Sequence, residues 1–284
     1  MSKKIEEKTG KKFRFSLTSN ASLLNEEMTE YLHDHTVSLI LSQDGLPENH
    51  NRFRILADGS GTYNQVMEAI KSVSDNWDEG YYLRGTYTKN NIHFLKDLEH
   101  LYSKGITKIS FEPVVSDNSK IGFTKEDLLS INEEYQKVTK WYLETYKKDR
   151  DFSFYHFEVN LEFGACKEKL MTSCGAGVEY LSVSPEGDLY PCHQFDGQEE
   201  FKVGSIKDGI TQNEVVEKFR KATNLNSKEE CKTCWARYLC GGGCSANNNR
   251  MNGSLFSPWE IGCEIQKTRI EAALYVQARK KELD

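Results

Sequence analysis

Apolar residues in the first 115 positions follow two different spacings in turn. Short runs that alternate, or that are almost continuously apolar, predict β-strands, and runs with apolar residues three or four apart predict α-helices. The predicted strands are residues 13–18, 37–42, 81–87 and 107–115. The predicted helices between them are residues 25–33, 63–74 and 91–104, with a loop rich in Gly, Pro and Asn at 43–51. This alternation predicts an α/β fold with parallel strands joined by helical crossovers.

The rest of the chain has longer helical patterns and one hairpin signal. Residues 124–147, 215–222 and 264–281 predict helices. Residues 152–161 are aromatic and alternating, which predicts an extended segment. Two apolar runs, 180–183 and 189–190, flank the turn sequence Pro185-Glu186-Gly187-Asp188. Together they predict a β-hairpin.

Composition and charge exclude several classes of partner. Hydrophobic residues make up 38% of the 284 residues and charged residues 28%, as in globular domains. The formal net charge of −6 argues against nucleic acid, since phosphate binding requires a basic surface. No run approaches the roughly 18 apolar residues of a membrane span, and the N-terminus lacks the apolar core of a signal peptide. We therefore expect a cytoplasmic protein, whose thiols serve metal binding or catalysis rather than disulfides.

All eight cysteines lie between positions 166 and 263. In order they are Cys166, Cys174, Cys192, Cys231, Cys234, Cys240, Cys244 and Cys263. The two-residue gap between Cys231 and Cys234 lets both sulfurs reach one metal. Three glycines between Cys240 and Cys244 let the backbone approach a bulky cofactor. Eight thiolates suffice for two [4Fe–4S] clusters, while structural zinc or free structural thiols are the alternatives that spacing leaves open.

The pattern Cys231-x2-Cys234-x5-Cys240-x3-Cys244-x18-Cys263, preceded by Cys174 and Tyr190-Pro191-Cys192, carries a family resemblance. It resembles the SPASM extension of radical SAM peptide and protein maturases, over about residues 150–284. The stretch 174–195 looks especially like the SCIFF-type maturases. These install thioether crosslinks between a cysteine sulfur and a carbon of a neighbouring residue in a ribosomally made peptide.

The resemblance extends upstream of the cysteines. Its motifs are Thr18-Ser19-Asn20, Ser42-Gln43-Asp44-Gly45 with His50 and Arg52, Tyr82-Leu83-Arg84-Gly85-Thr86-Tyr87, and Ser110-Phe111-Glu112-Pro113. They are similar to the later strands of a radical SAM barrel. The resemblance therefore implies the second half of a partial (β/α) barrel in residues 1–150, followed by a small cysteine-rich α+β SPASM domain in residues 151–284. It also implies that Asn20, Ser42, Asp44 and Arg84 contact SAM, although turn chemistry explains the first three equally well.

The resemblance further implies two interlaced sets of cluster ligands. Auxiliary cluster I takes Cys166, Cys174, Cys192 and Cys244, or leaves one iron open to a substrate thiolate if Cys166 does not bind. Auxiliary cluster II takes Cys231, Cys234, Cys240 and Cys263. His193 directly follows a ligand and is the candidate catalytic residue, against a role as a hydrogen-bonding neighbour of the cluster.

One departure from the family pattern limits the expected activity. The Cys-x3-Cys-x2-Cys loop that holds the SAM-cleaving cluster is absent, since no cysteine precedes Cys166. We expect this truncated or split chain to cleave SAM only if the other half is supplied, for example by a complementing radical SAM subunit. The expected function is then thioether formation in a cysteine-rich precursor peptide. The alternatives are an iron–sulfur electron-transfer partner that does not cleave SAM, and a structural zinc module.

Overall fold

The computed structural model describes residues 2–77, 79–159 and 170–283. Its α-helices are α1 (Ser2–Thr9), α2 (Glu26–Asp34), α3 (Pro47–Phe53), α4 (Tyr63–Asn76), α5 (Leu95–Ser103), α6 (Leu128–Tyr146), α7 (Asn213–Thr223), α8 (Glu229–Lys232), α9 (Arg237–Cys240), α10 (Ser245–Asn252) and α11 (Glu260–Lys280). Its strands are β1 (Phe15–Ser19), β2 (Val37–Ser42), β3 (Tyr81–Tyr87), β4 (Lys108–Pro113), β5 (Ser153–Phe154), β6 (Ser182–Val183), β7 (Asp188–Tyr190), β8 (Gly204–Ser205) and β9 (Gly209–Ile210). Turns of 3₁₀-helix lie at Lys89–Asn91, Lys125–Asp127, Tyr155–Phe157, His193–Phe195, Glu199–Phe201 and Leu225–Ser227.

Parallel strands form the main sheet of the described residues. Their order in the sheet, β1-β2-β3-β4-β5, is their order in the chain. Helices α2, α4, α5 and α6 lie between successive strands in the sequence, as right-handed crossovers require. The α/β class is therefore confirmed, and the predicted strands 37–42 and 81–87 coincide with β2 and β3. The assignment of this sheet to the second half of a barrel stays a prediction.

The two faces of the main sheet differ in polarity. Leu39 and Leu83 are fully buried within the hydrophobic core that the helices form with one face. Side chains alternate between faces along a strand, so the opposite face carries a polar row. In that row Ser42 lies beside Arg84, and Arg84 lies beside Ser110. We refer to it as the polar sheet face.

The last helix returns to the main sheet. Ile265, Ala273 and Val276 of α11 belong to the same hydrophobic core as the strands, and α11 packs along α6. Strand β5 also lies beyond residue 150 but pairs with β4. The predicted domain boundary at residue 150 is untested, yet elements from both sides of it share one core. No helix in the described part of the chain is long and apolar enough to cross a membrane.

Two local predictions are wrong. The predicted loop 43–51 contains the start of α3, whose first residue is Pro47. Proline is favoured there because its fixed φ suits a helix and its missing N–H leaves no bond unmade. The predicted extended segment 152–161 is a two-residue strand followed by the turn Tyr155–Phe157, and its last two residues lie outside the described part of the chain. His156 and Phe157 are both buried, which strict alternation does not allow.

A small antiparallel sheet follows in the cysteine-rich region. Its strand order is β6-β7-β8-β9. The predicted hairpin is confirmed, since β6 and β7 pair with Val183 beside Leu189. The turn between them needs Gly187, whose φ is +89°.

Adjacent residues of β2 test which face of the strand is buried. Leu39→Ala is expected to lower the free energy of unfolding by about 2–5 kcal/mol, since it empties a fully buried position. Ser38→Ala, on the exposed side of the same strand, is expected to stay within about 0.5 kcal/mol of the wild type. Urea unfolding measures both. A larger loss for Ser38→Ala would contradict the register.

Candidate metal centres

Four cysteines surround one cavity and are referred to here as the Cys231 tetrad. Cys231 lies in α8, Cys234 follows that helix, Cys240 ends α9, and Cys263 lies in the first turn of α11. Together they line a cavity of about 390 Å³. The N–H of Cys234 donates to the carbonyl of Cys231 (3.2 Å), and the N–H of Cys240 donates to the carbonyl of Ala236 (2.9 Å). These bonds close two successive tight turns around the cavity.

A run of glycines separates Cys240 from Cys244. The three residues 241–243 have φ values of +72°, +93° and +71°, in the left-handed region that favours glycine. A Cβ on Gly241 would lie 2.6 Å from the carbonyl oxygen of Thr172, so a side chain is also excluded by the close approach of another segment. This turn lets two nearby cysteines belong to different groups.

Burial and mutual repulsion oppose ionisation of the tetrad. Burial, followed by the neighbouring thiols Cys240, Cys231 and Cys234, raises the pKa of Cys263 to about 12. Burial also raises the pKa of the Cys231 thiol, against the lowering effect of Lys228. Since the thiolate is the form that binds metal, a positively charged centre has to offset this cost.

Cys174, Cys192 and Cys244 form a second group, referred to here as the Cys174 group. The hydroxyl of Tyr180 lies 3.7 Å from Sγ of Cys174 and also interacts with Cys192. Burial raises the pKa of Cys192, which interacts with Cys244 and Cys174 as well. Cys166, the predicted fourth ligand, lies outside the described residues. The described part of the chain therefore brings together the other three predicted ligands of cluster I.

His193, the candidate catalytic residue, is exposed beside the Cys174 group. It follows Cys192 directly and begins the turn His193–Phe195. Its Nε2 lies 3.3 Å from Nε2 of Gln194, whose Oε1 accepts a bond from Arg250 at 3.4 Å. This placement leaves the imidazole accessible to solvent. Its catalytic role stays a prediction.

The thiols lie around a space larger than a single-ion site. In the described residues, no three His, Cys, Asp or Glu side chains are grouped as one metal ion requires. A tetrahedral zinc site needs its four sulfurs at about 2.3 Å from the ion. Four thiols around a cavity of about 390 Å³ suit a larger iron–sulfur cluster better.

Three of the four residues predicted to contact SAM lie at or just beyond the carboxyl ends of neighbouring strands, and the fourth, Arg84, lies in the middle of its strand. Asn20 follows β1, Ser42 ends β2, Asp44 lies just beyond β2, and Arg84 lies in β3. The exposed Arg84 is the register partner of Ser42. Ligands of open parallel sheets bind at this end of the strands. The structure thus brings Ser42 and Arg84 together on the polar sheet face.

Asn20 and Asp44 are already engaged by protein groups. Oδ1 of Asn20 accepts bonds from the N–H (3.1 Å) and hydroxyl (2.9 Å) of the serine two residues later, which forms a turn. The carboxylate of Asp44 lies 2.7 Å from Nε of Arg54 and accepts the N–H of Thr86 at 2.9 Å. Asp44 therefore ties the segment after β2 to β3. These contacts favour positioning roles, and contact with SAM stays a prediction.

Glu112 on the polar sheet face connects the main sheet to α11. Nη1 of Arg269 lies 3.2 Å from Oε2 of Glu112. The buried Nε2 of His156 lies 3.4 Å from Oε1, in an arrangement too poor for a full hydrogen bond. The other ring nitrogen, Nδ1, lies 2.9 Å from the hydroxyl of Tyr135.

The charges in this network follow from burial. Burial, and then the positive charge of Arg269, lowers the pKa of His156 to about 4. Burial alone would raise the pKa of Glu112, but the contact with His156 and the charges of Arg269 and Arg84 hold it below its usual value. Near neutral pH, His156 is therefore uncharged, and Arg269 is the closest cation to the ionised Glu112.

Sequence reasoning does not identify Lys228, Tyr180 or Arg269. Lys228 precedes Cys231 by three residues, the spacing of neighbours on one helical face. That spacing could have indicated that Lys228 lies near a cysteine ligand. Tyr180 is the first residue of the predicted hairpin, and no sequence pattern distinguishes it as a neighbour of the cysteines. Arg269 lies within a regular helix, and its partner is 157 residues away in the sequence.

Comparisons with known proteins agree with this arrangement. The SPASM family model, an iron–sulfur cluster-binding domain, matches residues 174–235. An uncharacterized protein of Archaeoglobus fulgidus is 28% identical over an alignment covering 94% of this chain and 64% of that protein. A cysteine-type anaerobic sulfatase-maturating enzyme of Clostridium novyi is 23% identical over 90% of this chain and 70% of that enzyme. The solved structure of native anSMEcpe with bound AdoMet and Kp18Cys peptide superposes with a TM-score of 0.75, at 21% identity, over 99% of this chain and 79% of that one.

These matches differ in what they establish. The structural likeness shows a shared fold. The cluster-binding domain match and the sulfatase-maturating relatives support a radical SAM/SPASM maturase. The chain spans about two thirds of the length of these curated relatives, 64% and 70%.

Replacing Arg269 by Met removes the cation that faces Glu112. We expect R269M to lower the free energy of unfolding by roughly 1–3 kcal/mol near neutral pH, the range for a hydrogen bond to a charged group. The folded-state pKa of Glu112 is lowered, so this contribution is complete above the usual glutamate pKa of 4.5 and shrinks as pH falls towards about 2. Urea unfolding of both proteins across this pH range measures the difference.

The control is K125M, which removes another ion pair of α11. Lys125 lies 2.8 Å from Glu260, and both side chains are exposed, so we expect no change in stability at any pH. If the loss in R269M does not shrink on acidification, Arg269 acts through some group other than Glu112.

Proposed function

We propose that this chain is the cluster-binding part of a radical SAM maturase that forms a thioether in a ribosomally made, cysteine-rich peptide. The observation that carries the proposal is the gathering of seven described cysteines into two groups on different sides of one glycine turn. The SPASM match and the sulfatase-maturating relatives support the maturase class. Thioether formation rests on the resemblance of residues 174–195 to SCIFF-type maturases.

Two [4Fe–4S] auxiliary clusters fit the two groups of thiols. The Cys231 tetrad is the ligand set proposed for cluster II. The Cys174 group, together with Cys166, is the set proposed for cluster I. Bound clusters supply one-electron transfer, at potentials that the surrounding charges, hydrogen bonds and burial adjust. The protein's own contribution is to bury Cys192 and Cys231 and to hold the thiols of each group close together.

The polar sheet face is the proposed site for SAM. Arg84 offers two parallel N–H groups to a carboxylate, the geometry that such ion pairs prefer. Ser42 lies beside it, while Asp44 and Asn20 fix the adjoining turns. The cysteines of the SAM-cleaving cluster must come from other residues, in the same polypeptide or in a complementing subunit.

Strand β1 is the proposed contact for those other residues. Among the described residues it has a neighbour on one side only, at the edge of the main sheet. Phe15 is 48% exposed and Leu17 39% exposed, so the strand offers apolar side chains as well as free backbone groups. An added parallel strand would satisfy both.

The peptide substrate is proposed to reach cluster I. Cys174 and Cys244 are exposed, so this group is open to a molecule from solvent. A substrate cysteine bound to an iron there would be held in place and would lose its proton more readily. His193 directly follows Cys192 in the sequence and is the proposed catalytic residue of this site.

The curated relatives favour a second candidate function. Two of the similar proteins are an anaerobic sulfatase-maturating enzyme and a structure determined with a Kp18Cys peptide. The second candidate is therefore action on a cysteine of a sulfatase-derived peptide. An electron-transfer partner that does not cleave SAM would hold the same two clusters. A structural zinc module would contain zinc and no inorganic sulfide.

Iron and sulfide analysis tests the cluster assignment. The anaerobically reconstituted chain is expected to hold about eight irons and about eight sulfides, four of each per cluster. Cys263→Ser is expected to lose about four irons, because it removes one ligand of the tetrad. The exposed Thr233, between two ligands of the same tetrad, provides the control T233A, which is expected to keep the full content. About two zincs per chain without sulfide would contradict the proposal.

Spectroscopy with peptides tests the substrate. EPR and Mössbauer spectra of the reconstituted chain are recorded with a cysteine-rich precursor peptide and with the same peptide carrying serine for cysteine. The cysteine peptide alone is expected to change the spectrum of one cluster, because only a thiolate binds the iron. A response restricted to a sulfatase-derived cysteine peptide supports the second candidate instead. Unchanged spectra with every peptide would count against substrate ligation.

A further inference from the structure

A buried lysine lies between the two groups of thiols. Lys228 is 0% exposed and sits at the end of the turn Leu225–Ser227, just before α8. Its ammonium interacts electrostatically with Cys231, Cys240 and Cys263 of the tetrad and with Cys244 of the Cys174 group. It is thus a cation within reach of both proposed cluster sites.

Within the described part of the chain, the side chain of Lys228 makes one hydrogen bond. Its Nζ donates to the carbonyl oxygen of Gly242, in the glycine turn between Cys240 and Cys244. The same Nζ lies 3.5 Å from the position of a Cβ on Gly242, so the ammonium packs directly against the glycine turn. An ammonium has three N–H donors. Among the residues that the structure describes, no carboxylate forms an ion pair with Lys228, and the groups that act on it most strongly are thiols.

Two other lysines near the tetrad differ from Lys228 because each pairs with a carboxylate and reaches solvent. Lys267 also acts on tetrad thiols, but its Nζ lies 2.7 Å from the Glu264 carboxylate and its side chain is 34% exposed. Lys232 is exposed and pairs with Glu229. Their charges are offset by carboxylates and by water. A fully buried ammonium without such an anion is costly, so Lys228 needs negative charge from another source.

We propose that Lys228 is a counter-ion shared by the groups bound at both thiol sites, and that it favours the reduced state of each. The inference rests on the proposed function, namely that both sites hold iron–sulfur clusters. Each cluster takes up one electron from an added reductant, which makes it more negative. A fixed buried cation stabilises that added charge more strongly than water-screened charges do. Lys228 is therefore a positioning and charge-setting residue, not a catalytic one.

Redox titration followed by EPR tests the inference on the full reconstituted chain. The variants K228M and K228Q remove the charge, and K228Q retains a donor for the Gly242 carbonyl. At a potential where each wild-type cluster is half reduced, both variants are expected to lower the ratio of reduced to oxidised cluster about tenfold. This change corresponds to about 59 mV for one electron. The control K232M, which removes an exposed lysine near the same ligands, is expected to change the ratio less than about twofold.

If neither variant binds iron, ENDOR spectroscopy of the wild type still tests the inference. Lysine labelled with ¹⁵N at Nζ is expected to show hyperfine coupling to both reduced clusters in ENDOR spectra. Lys267 acts on tetrad thiols, so coupling at the Cys174 group is the signal that reports Lys228. Absence of that coupling overturns the shared role.

The remaining outcomes separate this inference from the proposed function. If the wild type binds no iron and sulfide, the proposed function fails and this inference fails with it. If the wild type binds two clusters and K228M and K228Q titrate as the wild type does, only this inference fails. A shift confined to one cluster overturns sharing between the sites.

Discussion

The cost of ionising neighbouring, partly buried thiols is the constraint on which the cysteine-rich region depends. Helices α8 and α9 have four residues each, too few to be stable without outside contacts. The small hydrophobic core of this region is built around Phe195, Phe201 and Phe219 and includes no member of the Cys231 tetrad. Three members of the tetrad, Cys231, Cys234 and Cys240, are therefore held only by short helices and turns, while Cys263 is fixed in the long helix α11. Metal binding would supply that missing free energy, which couples ligation to local folding.

The main sheet differs from most parallel sheets because one of its two faces is polar. Parallel sheets normally bury both faces, and their strands are almost continuously apolar. Here one face is packed against helices, while the other carries Ser42, Arg84 and Ser110 in one row and Glu112 near its end. A polar row of this kind cannot be packed without partners. It is suited to a charged ligand, and Arg269 from α11 already neutralises Glu112.

The sequence was most informative where one periodic pattern determines an element. The strands at 37–42 and 81–87 match because burial on a sheet gives a clear apolar signal. The two cysteine groups were predictable through the family resemblance of the cysteine pattern, since spacing alone left zinc and free structural thiols open. Lys228 and Arg269 were not, because their partners are brought close only by tertiary packing. Pro47 was also mispredicted: the sequence pattern places it in a loop, but it is the first residue of α3.

Helix α11 relates the two halves of the proposed site. Cys263 lines the cavity of the tetrad, and Arg269, six residues later on the same helix, contacts Glu112 on the polar sheet face. That separation is about 9 Å along the axis, with the two side chains about 120° apart around it. The helix is also packed along α6 by its own buried residues, so it is not free to rotate. A molecule on the sheet face and a cluster at the tetrad would thus be positioned by one rigid element, as a reaction between separately bound groups requires.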